Sequence, residues 1–178
     1  MVKYVMLLRG MGPGDPKFNN QTVCRCLEKL GYSNVRSLQA SGNYLFEGNE
    51  ADNAKLETDI EASIEQAVGF RRAAIVRNSN EIAELMKYDP FKGMTHSSGS
   101  YLLVTFMKQP KKLDFALPYQ PPDKPYEIIG AKNDMLFSVV DNTTGKTPDL
   151  MVWLERQFGK DITSRTWNTI QRIYQKIS

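Results

Sequence analysis

Three short polar segments carry the groups needed to hold an anion. The first, Arg9-Gly10-Met11-Gly12-Pro13-Gly14, follows an apolar run and turns on its glycines. A glycine-rich turn can offer backbone N–H groups to a phosphate or carboxylate, and Arg9 would supply charge. Its glycines miss the G-x-G-x-x-G spacing, so it is no dinucleotide fingerprint. The second, Gln39-Ala40-Ser41-Gly42-Asn43, sets two hydrogen-bonding side chains around a glycine. The same residue types also serve a hairpin turn by bonding local backbone. The third, Thr144-Gly145-Lys146-Thr147, resembles the end of a P-loop, but Val140 stands where that loop needs its first glycine. A weaker anion site there would use Lys146 and the helix start that follows. Each segment also has a plain structural role, as a loop, a turn and a capped helix start with an exposed lysine.

Other chemistries find less to work with. The chain has one histidine, His96, in the small polar stretch Thr95-His96-Ser97-Ser98-Gly99-Ser100, which reads as a solvated loop. One imidazole cannot build a His-based metal cluster, and no metal site is expected. Cys24 and Cys26 fall on different faces of a helix and cannot bridge each other, so one is expected in the core. Asp15, Glu28 and Lys146 could do acid–base work, but no spacing pairs them. No cofactor motif is complete, and none is expected.

The elements that must position these segments follow from periodicity. Val2 to Leu8 is a continuous β-prone run, read as a buried strand. After the Arg9–Asn20 loop a helix begins at Gln21, with Val23, Leu27 and Leu30 on one side and Gly31 as its stop. Asn34 to Gln39 and Tyr44 to Glu47 read as strands around the Ser41-Gly42-Asn43 turn. Asp52 to Val68 is a helix with Leu56, Ile60, Ile64 and Val68 in one row, and Arg71 to Arg77 is a strand. The order β-α-β-β-α-β is that of a ferredoxin-like fold, predicted for residues 1–77.

Residues 78–178 read as a mixed α/β half. Asn78 and Glu81 form a capping pair for a short helix that ends at Asp89-Pro90. A strand over Tyr101–Met107 and a proline-rich loop follow. A hairpin then turns at Lys132-Asn133-Asp134 between Tyr126–Gly130 and Met135–Val140. Two helices end the chain, one capped at Thr147-Pro148 and one from Thr166, where Thr163 or Thr166 serves as cap. The fold class is therefore α/β of the α+β type.

The segments in order carry a resemblance. Tyr4–Gly10, Leu27–Tyr32 with Val35, Gln39–Asn43 with Phe46, Val104–Phe106 and Thr163–Thr169 together make the chain similar to the bacterial proteins grouped as domain of unknown function 1697. The likeness spans nearly the whole chain and implies that residues 1–77 and 78–178 form one unit. It implies a fold but no reaction. Where the family has an Ile-Asn-Val-Gly-Gly type of loop after Arg-Gly, this chain has Met11-Gly12-Pro13-Gly14-Asp15, without the asparagine.

Composition bounds the rest. The 178 residues include 23 Lys+Arg and 20 Asp+Glu, with 41% hydrophobic residues, too apolar for a disordered chain. Residues 1–89 carry a net charge of −1 and residues 90–178 one of +4, far below a dedicated nucleic-acid binder. No run of 18 apolar residues exists to span a membrane. The chain start lacks a signal-peptide pattern and two cysteines make no disulfide framework, so a cytoplasmic protein is expected. The expected function is binding of a small anionic ligand, a nucleotide or sugar phosphate. Arg9, Gly10, Ser41, Gly42, Asn43, Lys146, Arg165 and Asn168 are its candidate contacts. The alternatives are an RNA or single-stranded nucleic-acid module using Tyr44 and Phe46, and a structural or interaction domain without a small ligand.

Overall fold

The computed structural model describes residues 1–11, 16–38, 42–50, 52–144 and 149–178. The elements are β1 (Val2–Leu8), α1 (Asn20–Lys29), β2 (Ser33–Ser37), β3 (Asn43–Gly48), α2 (Asn53–Val68), β4 (Ala74–Asn78) and α3 (Ser79–Tyr88). They continue with β5 (Ser100–Met107), β6 (Tyr126–Lys132), β7 (Met135–Asp141), α4 (Leu150–Phe158), β8 (Ile162–Thr166) and α5 (Trp167–Ile177). Two units result: Met1–Glu84 with Ile173–Ser178, and Leu85–Arg172.

The first unit holds an antiparallel sheet of order β2-β3-β1-β4, which is the ferredoxin-like arrangement expected from element order. Helices α1 and α2 cover one face, where Tyr4, Met6, Leu8, Tyr44, Phe46 and Val76 meet Val23, Leu27, Leu56, Ile60 and Ile64. Val5 and Leu7 on the opposite face are also buried, and burial on both faces is why β1 reads as an unbroken apolar run. Both helices start on side-chain caps. Asn19 Oδ1 accepts the Thr22 N–H at 3.0 Å, and Asp52 Oδ1 accepts the Ala54 N–H at 2.9 Å.

The β4 edge of this sheet is closed by carboxylates. Its amides at Ala74, Val76 and Asn78 donate to Glu61, Glu57 and Glu81 at 2.8, 2.9 and 2.8 Å. The match is geometric. Four residues of α2 rise about 6 Å, close to the two-residue step of a strand, so Glu57 and Glu61 reach alternate amides. Each is also paired with an arginine, Glu57 with Arg77 at 3.5 Å and Glu61 with Arg71 at 3.2 Å.

Glu81 and Asn78 also form the reciprocal capping box expected for α3, since the Glu81 N–H donates to Asn78 Oδ1 at 3.0 Å. Asn78→Ala is expected to lower stability by about 1 kcal/mol, read as a shifted urea midpoint with an unchanged m-value.

The second unit holds an antiparallel sheet of order β6-β7-β5-β8. Asn133, at φ +54°, turns the β6–β7 hairpin. Helix α4 packs Leu150, Leu154 and Phe158 on Met107, Tyr126, Ile128, Leu136 and Val140. On the other face the Phe137 ring meets Tyr88 and Phe91, and Phe91 meets Trp167 edge-on at 5.5 Å.

Two details differ from the sequence expectation. Ile162–Thr166 is a strand, so α4 and α5 are separated by β8. Its polar side chains find partners there, with Ser164 Oγ 2.7 Å from Thr105 Oγ1. Thr166 keeps its capping role, accepting the Thr169 N–H at 3.3 Å. Helix α4 begins at Leu150, preceded by Asp149, which binds Lys124 Nζ at 2.7 Å and the Tyr126 hydroxyl at 3.1 Å. The expected cap at Thr147-Pro148 lies outside the described residues.

Candidate functional site

The C-terminal end of β1 gathers four of the expected contact residues. The Leu8 N–H donates to the Gly42 carbonyl at 2.8 Å, and the Arg9 N–H donates to the Ala73 carbonyl at 3.1 Å. Arg9 and Gly10 thus emerge between the start of β3 and the start of β4. Gly10 and Gly42 have φ of +72° and +73°. At Gly42 a Cβ would lie 2.5 Å from the Leu8 carbonyl oxygen, so only glycine lets the two backbones meet. Asn43 is fully buried, and its carbonyl accepts the Leu38 N–H at 2.7 Å. Ser41 lies outside the described residues.

An arginine that sequence inspection passed over completes this strand end. Arg72 lies next to Gly10, where a Cβ would be 3.4 Å from its Nε. Its guanidinium lies over the Phe70 ring at 4.4 Å and the Phe18 ring at 5.5 Å, which hold it flat. Its Nε is buried and has no hydrogen-bond partner. The β1–β4 register brings it there, because Leu8 pairs with Ala74 and the two chains continue outward.

The remaining expected residues belong to the second unit or fall outside the described ones. Arg165 pairs with Val104, and its Nη1 donates to Thr163 Oγ1 at 2.7 Å and to the Ser164 carbonyl at 2.8 Å. Burial pushes its guanidinium down to about 10, which leaves it charged at neutral pH. Asn168 is exposed on the first turn of α5 and lines a cleft of about 330 Å³ with Lys92, His96, Trp167 and Gln171. Lys146 is outside the described residues. The expected contact residues are divided between the two units, with Arg9, Gly10, Gly42 and Asn43 in the first and Arg165 and Asn168 in the second.

His96 lies in the loop before β5, as expected, and is half-buried rather than fully solvated. Its Nδ1 accepts the Leu102 N–H at 3.1 Å and its ring stacks on Tyr101 at 5.2 Å. That bond puts the proton of the neutral ring on Nε2. Tyr44 and Phe46 are buried beneath α1 and α2, and the Tyr44 hydroxyl donates to Asn20 Oδ1 at 2.7 Å. Burial raises the Cys24 thiol above its ordinary value, with Glu28 adding to the effect. Among the described residues no group of three or more His, Cys, Asp or Glu could hold a metal ion. No described helix is long and apolar enough to cross a membrane.

A family model described as "Protein of unknown function (DUF1697)" matches residues 1–137. No curated protein sequence matches the chain. Among solved structures, the conserved bacterial protein SP0830 from Streptococcus pneumoniae is similar, with a TM-score of 0.72 at 20% identity. The match covers 99% of this chain and 98% of that one. That likeness shows a shared α+β fold.

Proposed function

The chain belongs to the DUF1697 family of proteins of unknown function, and from that premise we propose that it binds a small anionic ligand, a nucleotide or sugar phosphate, at the C-terminal end of β1. The observation that carries this reading is the buried, unpartnered Nε of Arg72 beside the bare Cα of Gly10. A buried donor without an acceptor costs about 1–3 kcal/mol, more when charged. A ligand oxygen at that nitrogen removes the penalty and gains a charge-assisted bond. Arg9, one residue before Gly10, adds a second guanidinium to the same strand end. Gly42 and Asn43 shape it, since they set the backbone that Leu8 rests on. A free thiol at Cys24 and another at Cys26 suit a reducing, cytoplasmic setting.

Isothermal titration with inorganic phosphate, a nucleoside monophosphate and the uncharged nucleoside tests the reading. The two phosphate-bearing probes are expected to bind, and Arg72→Gln is expected to weaken both about tenfold or more. Arg165→Gln leaves them unchanged. Equal binding of the uncharged nucleoside, or no effect of Arg72→Gln, would sink it.

A further inference from the structure

The edge of the first sheet opposite β4 carries a second arrangement of cations. Ser33 pairs with Glu47 and Arg36 with Leu45, so Asn34 and Val35 together face the single residue Phe46. That is a β-bulge, a device that bends an edge strand and re-aims its side chains. Asn34 takes the left-handed conformation at φ +52°, which asparagine tolerates, and its Nδ2 donates to Glu47 Oε2 at 3.0 Å.

Beside the bulge lies a cavity of about 400 Å³, lined among others by Lys3, Asn34, Arg36, Glu47 and Lys176. This volume falls in the range of small-ligand sites, about 300–1,000 Å³. Arg36 Nη2 donates to the Lys176 carbonyl at 3.1 Å and Lys3 Nζ to the Ser178 carbonyl oxygen at 3.2 Å. Both cations are thereby fixed on backbone oxygens, Arg36 on that of Lys176 in the last turn of α5 and Lys3 on that of Ser178 just past it. Each spends one donor there, leaving four N–H groups on the guanidinium and two on the ammonium. The Lys176 ammonium has no partner among the described residues. Glu47, the carboxylate in this lining, is engaged by Asn34.

We infer that this cavity is a distinct anion site that takes a ligand bearing two or more linked phosphates. The argument is charge and reach. Three cations come from three separate elements, the start of β1, β2 and the end of α5, around one volume. A single oxyanion satisfies one fork of donors, whereas linked phosphates offer acceptors to several at once. Arg36 and Lys3 are already oriented, so little side-chain entropy is lost on binding.

The test is a titration of the full-length, isotope-labelled chain with inorganic pyrophosphate, followed residue by residue by NMR. Shifts are expected at the amides of Asn34, Val35, Arg36 and Lys176. Lys176→Gln is expected to weaken pyrophosphate binding about three- to tenfold, and Arg36→Gln at least as much. Lys176 holds nothing through its side chain, so that variant stays informative if Arg36→Gln loosens α5. Glu47→Gln, which keeps an acceptor for Asn34, is expected to tighten binding about threefold. Arg72→Gln leaves this site unchanged, which separates its failure from that of the β1 site. Shifts confined to Gly10 and Gly42 would overturn the inference. So would a Kd that neither Lys176→Gln nor Glu47→Gln alters.

Discussion

Glu57→Ala is expected to remove about 3–5 kcal/mol of folding stability, measured by urea unfolding. Glu57 and Arg77 are each 3% exposed. The carboxylate accepts the Val76 amide at 2.9 Å and faces the Arg77 guanidinium at 3.5 Å. Truncation leaves a buried charge and a buried amide without that acceptor, and neither can turn to water. Glu57→Gln keeps the acceptor and loses the charge, so its loss is expected to be smaller. Replacing both Glu57 and Arg77 by methionine is expected to recover part of the stability, because neither member of the pair is then left as an uncompensated buried charge, while the Val76 amide still lacks its acceptor. A Glu57→Ala protein within about 1 kcal/mol of the parent, the value of an exposed pair, would show that the carboxylate is not what holds this edge.

Gly42→Ala is the second large effect, about 3 kcal/mol. Left-handed backbone costs an L-residue about 1–2 kcal/mol, and overlap with the Leu8 carbonyl adds a comparable amount because backbone cannot swing aside. Gly31→Ala separates the two parts. Gly31 has φ +87° with nothing within 4 Å of its Cβ position, so only the conformational part, about 1–2 kcal/mol, is expected there. Thermal melts of the two variants side by side measure the difference. Displacing Leu8 also moves Arg9 and Gly10, so Gly42→Ala is expected to lose phosphate affinity at temperatures where it remains folded.

The parts of the fold that were legible from sequence are those set by neighbours along the chain. The row Leu56, Ile60, Ile64 and Val68, the Asn78–Glu81 box and the order of the first six elements depend on spacings of a few residues. β8 was not legible. Thr163, Ser164, Arg165 and Thr166 become a strand because β5 lies alongside, and nothing local distinguishes them from a capping segment. Arg72 was missed for a similar reason: its place beside Gly10 exists only once β1 and β4 are in register. The bulge at Asn34 needs the count of residues on β3 as well as on β2. The hydrogen bond of His96 was not legible because Leu102, the residue it binds, lies past a polar loop whose composition suggests solvent.

The carboxylates along β4 have a consequence for how copies of this chain can associate. Strand addition needs outward amides, and those of Ala74, Val76 and Asn78 are already spent on Glu61, Glu57 and Glu81. Propagation of a sheet from copy to copy needs two receptive edges per copy. This sheet offers at most one, at β2, so pairing of this sheet with the same sheet of another copy closes at two copies.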